Sequence, residues 1–141
     1  MNKVLLIVLL VLVFSLELSA KTLQSFSLPV YKQEKSFTYK AGKKTLINFW
    51  ASWCTSCIQE IPILEELKRK NPNVTFIAIN AGDSQKKIKK FLKKTGFSYT
   101  VLMDKSKKVS KEMGILSLPQ TIVVDENGNI FFHENIPPES L

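Results

Sequence analysis

An α/β fold is predicted, with one central mixed sheet flanked by helices, a β-hairpin at its N-terminal side and no helix after its last strand. Three observations predict it. Short apolar runs alternate with helix-period segments between residues 45 and 113, as in strands laid parallel with helices on the sheet faces. Asp125-Glu126-Asn127-Gly128-Asn129 separates two further runs and contains Asn-Gly, a strong hairpin signal that adds an antiparallel edge. The 141 residues are 45% hydrophobic, enough for one domain with a real core.

Residues 1–20 read as a separate segment. Lys3 precedes an unbroken apolar run over residues 4–14, and Ser15-Leu16-Glu17-Leu18-Ser19-Ala20 follows. A basic start, an apolar centre and small residues near a cut site have the layout of a secretory signal. The run is well short of the ~20 residues of a membrane-spanning helix. Ala20 suits the position before the cut, whereas Leu18 is larger than the residue preferred there. Cleavage after Ala20 is favoured, and an uncleaved N-terminal membrane anchor stays open beside it. No cysteine lies near the cut, which excludes a lipid-modified N-terminus. Residues 21–141 then form the domain, in a periplasmic or other extracytoplasmic space where disulfides persist.

Within the domain, Ser25-Phe26-Ser27-Leu28 and Ser36-Phe37-Thr38-Tyr39 alternate apolar and polar residues around a polar stretch at 31–35, predicting a short hairpin. Ala41-Gly42-Lys43-Lys44 turns into residues 45–51, an apolar run suited to a strand covered on both faces. A helix over residues 54–70 follows, with Ile58, Ile61, Leu64 and Leu67 on one stripe and a kink expected at Pro62. Strands are predicted over 74–79 and 99–103, and a lysine-rich helix lies between them, ending at Thr95. A short helix over 107–113 stops at Gly114. Residues 120–124 and 130–134 form the closing hairpin.

The chain's two cysteines stand in Trp53-Cys54-Thr55-Ser56-Cys57, where the strand over 45–51 meets the helix. Two intervening residues bring the sulfurs close enough to bridge. A cysteine at a helix start feels unpaired N–H groups and the positive end of the dipole, which favour its thiolate. The thiolate is the species that attacks disulfides. A structural zinc site needs four ligands, and beyond the pair the chain offers only His133. A c-type haem attachment needs histidine after the second cysteine, and position 58 is Ile. An inert structural disulfide over so short a loop would constrain the unfolded chain little. The pair therefore reads as a dithiol redox site, with no metal and no cofactor beyond its own disulfide.

The net charge of +8 is concentrated. Losing residues 1–20 removes one lysine and one glutamate, so it stays +8. Lys86, Lys87, Lys89, Lys90, Lys93 and Lys94 surround Ile88, Phe91 and Leu92 at helical spacing, an amphipathic helix with a lysine-covered outer face. A solvated face is the plain reading; an anionic membrane or acidic proteins are the functional ones. No nucleic-acid motif accompanies the lysines, and nucleic acid is not expected as a partner.

The stretch Asn48-Phe49-Trp50-Ala51-Ser52-Trp53-Cys54-Thr55-Ser56-Cys57, followed by Glu60 and Pro62, resembles the active-site segment of the thioredoxin superfamily. More narrowly it resembles the exported TlpA/ResA-like thiol–disulfide oxidoreductases. The resemblance runs over residues 25–136 and includes Asn80-Ala81-Gly82-Asp83, Val101-Leu102-Met103-Asp104 and Gly114-Ile115-Leu116-Ser117-Leu118-Pro119. It implies a thioredoxin-like fold. It also implies a closing helix, for which residues 137–141 leave too little chain, so that helix is expected to be missing.

The resemblance implies roles as well. Cys54 would attack the partner's disulfide, and Cys57, one turn in and more buried, would resolve the mixed disulfide. Pro119 would follow a cis peptide bond and face the sulfurs, with Trp53 and Leu118 against the substrate. Without the resemblance, Pro119 is equally an ordinary loop proline ahead of a strand. Cytoplasmic thioredoxins carry a buried aspartate where this chain has Asn48, which cannot take up a proton; the subfamily instead has a glutamate at the Glu60 position. Glu60 would thus move the proton of Cys57. From the residues alone it is an acid near a helix start, favoured by the dipole. Trp50 is expected in the core, and His133 as structural or solvated.

Two departures matter. Ser56 stands where many relatives have proline, and Thr55-Ser56 offers no charge or histidine to hold a thiolate, which argues against a potent oxidant. The reading is an exported, monomeric reductase of protein disulfides, re-reduced by a membrane thiol donor or partner protein. It would serve cytochrome c maturation or general extracytoplasmic thiol reduction. A peroxiredoxin-like enzyme and a non-enzymatic Cu(I) carrier are the alternatives.

Overall fold

Apolar residues at alternating positions set up a sheet with a core on each face. The computed structural model describes Lys3 and residues 20–141. The expected export segment lies outside these residues except for Lys3 and Ala20. In chain order the elements are β1 (Ser27–Pro29), β2 (Ser36–Thr38), β3 (Thr45–Trp50), α1 (Thr55–Lys70), β4 (Thr75–Ala81), α2 (Gln85–Thr95), β5 (Thr100–Asp104), α3 (Lys108–Glu112), β6 (Gln120–Val124) and β7 (Ile130–Glu134). The five-stranded sheet has the order β5-β4-β3-β6-β7. β3, β4 and β5 are parallel, and β6 and β7 run antiparallel. The sheet is mixed, as predicted. The hairpin of β1 and β2 hangs on its β5 edge, where Val30 bridges Leu102 and the Tyr31 N–H donates to the Val101 carbonyl at 2.9 Å.

β3 is buried along its whole length. Its Ile47 and Phe49 face one cluster, with Phe26, Leu28 and Tyr39 of the hairpin region and Val109 and Ile115 around α3. Leu46 and Trp50 face the other, with Leu64 and Leu67 of α1 and Ile88 and Phe91 of α2. Trp50 is core, as expected, and packs on Phe91 with ring centroids 4.3 Å apart. Ser84 caps the start of α2, and Gly96 closes it at a φ of +67°, a left-handed conformation that glycine adopts without penalty. The lysines of α2 stay on its exposed side.

Two expectations are refined. The predicted stripe on α1 faces the core: Leu64 and Leu67 are buried with Cys57 and Glu60, and Ile58 and Ile61, half-buried, pack against the same cluster. Cys57 and Glu60, three residues apart, share that inward side. The strand predicted over 74–79 runs on to Ala81. After β7, residues 135–141 are irregular; Pro138 is buried and Leu141 packs against the cluster of Leu64 and Leu67.

Candidate active site

The topology brings four loops to one edge of the sheet. Trp50 pairs with Asn80 and Ala81 with Asp104 along the parallel strands, so β3, β4 and β5 all end there. Phe49 pairs with Gln120, so antiparallel β6 begins there. Residues 51–54, 82–84, 105–107 and 117–119 therefore meet outside the carboxyl ends of the parallel strands, where open α/β sheets place ligands.

Cys54 is the N-cap of α1 rather than its first helical residue: its backbone is extended, and its Sγ accepts the Cys57 N–H at 3.2 Å. One of the unpaired amides at the helix start is thereby aimed at this sulfur. Cys54 and Cys57 are joined in a disulfide, with their Cα atoms 5.3 Å apart. The two residues are 5% and 4% exposed, so the expected difference in burial between attacking and resolving cysteine is absent. What separates them is polarity, because Cys54 Sγ receives the helix-start hydrogen bond.

Glu60 is the sixth residue of α1 and only 8% exposed, too far in and too buried to be explained by the dipole at the first turn. Its Oε2 is buried with no hydrogen-bond partner. Burial pushes its carboxyl up to about 7, and hydrogen bonding from the Asn48 side chain pulls it part of the way back. Asn48 faces the same side of the sheet and donates to Thr121 Oγ1 at 3.3 Å. Glu60 borders a groove of about 640 Å³ together with Ser56, Leu118, Pro119 and the chain after β7. A carboxyl that titrates near neutrality, one turn from Cys57, can accept or return a proton there.

The Leu118–Pro119 peptide is cis, as the resemblance implied, and Pro119 is buried. Leu118 packs against the cluster that holds Cys54 and Cys57. Trp53 stands 67% exposed beside the pair. The six predicted site residues thus gather at one edge. His133 does not: it lies half-buried on β7 opposite Ile122, with its pKa lowered by burial and by Lys21.

One part of the site was assigned no role from the sequence. Asp83, buried, accepts from the Ser52 N–H at 2.6 Å, from Ser52 Oγ at 3.0 Å and from Asn80 Nδ2 at 2.9 Å. Its own N–H donates to Asn80 Oδ1 at 2.9 Å. The turn after β4 is thus tied to the loop that carries Trp53 and Cys54. The available signal was Asn80 and Asp83 bracketing Gly82 at the end of an apolar strand, with Ser52 between two tryptophans.

A cysteine pair that alternates between dithiol and disulfide performs thiol–disulfide exchange. The family model described as Redoxin matches residues 18–140. Thioredoxin-like protein YneN of Bacillus subtilis is 36% identical over 110 residues, covering 74% of this chain and 64% of that protein. Thiol-disulfide oxidoreductase ResA of Geobacillus thermodenitrificans is 30% identical over 100 residues, covering 70% of this chain and 58% of that protein. The chain therefore spans less than two thirds of the length of these curated relatives. A solved thiol-disulfide oxidoreductase from Bacteroides fragilis superposes with a TM-score of 0.72 at 29% identity, over 86% of this chain and 94% of that one. Sequence and fold agree: the chain belongs to the Redoxin family, in the thioredoxin superfamily, and is TlpA/ResA-like.

Proposed function

We propose that this chain is an exported thiol–disulfide oxidoreductase that reduces protein disulfides through Cys54 and Cys57. The observation that carries the reading is the Cys54 sulfur at the N-cap of α1, accepting the Cys57 N–H and bonded to Cys57. In the reduced state the Cys54 thiolate attacks one sulfur of a substrate disulfide, and the other substrate sulfur leaves as a thiolate that takes a proton. Cys57 gives its proton to Glu60 and attacks Cys54 Sγ; the second substrate sulfur leaves and is protonated. One substrate disulfide becomes two thiols, and the dithiol becomes the Cys54/Cys57 disulfide. A membrane thiol donor or partner protein returns the two electrons and two protons, and no cofactor beyond the pair is needed. Thr55 and Ser56 supply no charge to hold the thiolate further, which favours reduction over strong oxidation. The layout of residues 1–20 supports export, cleaved or anchored. Monomeric action in cytochrome c maturation or general extracytoplasmic thiol reduction completes the reading.

A Cys57→Ser variant should stall on its substrate through Cys54, and mass spectrometry of the mixed disulfide names that substrate. Trapping by Cys54→Ser instead would reverse the two roles. Equilibration with glutathione buffers tests the direction: a potential near the ~−120 mV of the strongest oxidants overturns the reductase assignment.

A further inference from the structure

A second groove, of about 300 Å³, lies on the Trp53 side of the site. Trp53, Ile115, Leu116 and Leu118 supply its apolar lining. Leu116 is 95% exposed and Trp53 67%, so a leucine and a tryptophan that line the same groove are both open to water. Large apolar side chains left uncovered at a site rim are surfaces for a partner.

Lys107 and Lys111, both exposed, line the same groove. Among the described residues neither is paired with a carboxylate; the ion pair in this region joins Lys108 to Glu112. Asp104 is buried and accepts from the Ser110 N–H and Oγ at 2.7 Å each, so its charge is turned inward. Lys107 is held in place by backbone geometry: its φ is +60°, and its aliphatic stem lies where a side chain on Gly82 would be.

We infer that the groove selects the substrate, seating a disulfide-bearing segment with a large apolar side chain and one or more Asp or Glu residues close to its cysteine. The apolar side chain packs on Trp53 and Leu116, and the carboxylates meet Lys107 and Lys111. This rests on the reading of Cys54 as the attacking sulfur. Complementary charge at an exposed rim acts mainly on the association rate and is screened by salt.

The test uses the reduced, desalted protein and two matched peptide disulfides with the same apolar residue, one flanked by aspartates and one by lysines. Stopped-flow kinetics should give an acidic-to-basic rate ratio of about tenfold or more at ~20 mM salt, falling toward unity at ~500 mM. Combining Lys111→Glu with Lys107→Asn, asparagine being a residue that tolerates positive φ, should bring the ratio close to unity or below it. The same charge change at the far end of α2, Lys94→Glu with Lys93→Asn, should leave most of the ratio in place. A ratio near unity in the unmutated chain overturns the inference, as does an equal fall in both variants, which would reduce the effect to net charge. Bis(2-hydroxyethyl) disulfide, small and neutral, separates the two readings. A protein that reduces it but ignores peptide charge refutes the groove alone; a protein inert to every disulfide refutes the redox reading and the groove with it.

Discussion

Glu60 sits where a carboxyl is costly to ionise: buried, with one oxygen unpartnered, and pushed up to about 7 chiefly by loss of solvent. Between roughly pH 4.5 and 7 the folded state keeps a proton that the unfolded chain has released. Stability therefore falls as pH rises through that window and levels off above it, by an amount on the order of 3 kcal/mol. Urea midpoints of the oxidised protein from pH 4.5 to 8 should show this decline and lose it in Glu60→Gln; a flat profile in the unmutated chain would remove the buried-acid account. The kinetic consequence has its own signature. Below pH 7 the Glu60-assisted and unaided routes to a Cys57 thiolate both rise tenfold per pH unit, so the advantage of the carboxylate is constant. Above pH 7 Glu60 is already ionised and the unaided route catches up. Glu60→Gln should slow resolution about tenfold at pH 5–7, with the deficit shrinking toward pH 9. Stopped-flow reduction of a model disulfide decides it, and an unchanged rate would leave Glu60 without a part in proton transfer.

At the level of elements, the loop between β3 and α1 is held from outside itself. Asp83 accepts three hydrogen bonds, two of them from Ser52, and is buried, so removing the carboxylate strands several donors. Asp83→Ala should lower stability by about 1–3 kcal/mol. It should also let Cys54 drift from its cap position, which slows alkylation of Cys54 in the reduced protein at pH 7, where the thiolate fraction limits the reaction. Unchanged alkylation with reduced stability would show that the clamp serves the fold alone. The strand-to-helix junction was legible because residues 45–51 are apolar and the cysteine pair follows directly. The clamp was not, because Ser52 and Asp83 are 31 positions apart and only the parallel pairing of β3 with β4 joins them. The apolar stripe of α1 was legible, since Ile58 and Ile61 pack on the cluster of Leu64 and Leu67; the burial of Glu60 among them was not, because hydrophobic spacing carries no signal for an acidic residue on an apolar face.

On the scale of the whole molecule, architecture follows from alternation and punctuation: a buried β3, parallel neighbours separated by helices, and a hairpin closed at Asn127-Gly128, where Gly128 has a φ of +84°. The charge distribution was equally visible, yet its cost appears only in three dimensions. The net +8 is carried largely by α2, whose exposed lysines have no ion-paired carboxylate among the described residues. Lys90 has Lys86, Lys87, Lys93 and Lys94 three or four positions away, all on the exposed side of the helix. Each like-charge pair at such spacing costs about 0.2–0.5 kcal/mol, and an opposite pair returns a similar amount. The helix is retained because Ile88 and Phe91 are buried in the core beside Trp50, which outweighs the repulsion. Lys90→Glu turns four repulsive pairs into attractive ones without touching either buried residue, so it should stabilise the protein by about 1.6–4 kcal/mol at ~10 mM salt and by less than half of that at ~500 mM. The unmutated chain should gain stability over the same salt range as its self-repulsion is screened. Urea titrations of both proteins at the two salt concentrations measure both effects. A Lys90→Glu gain that does not shrink with salt would assign the change to helix propensity rather than charge, and with it the view that α2 is held in place against its own lysines.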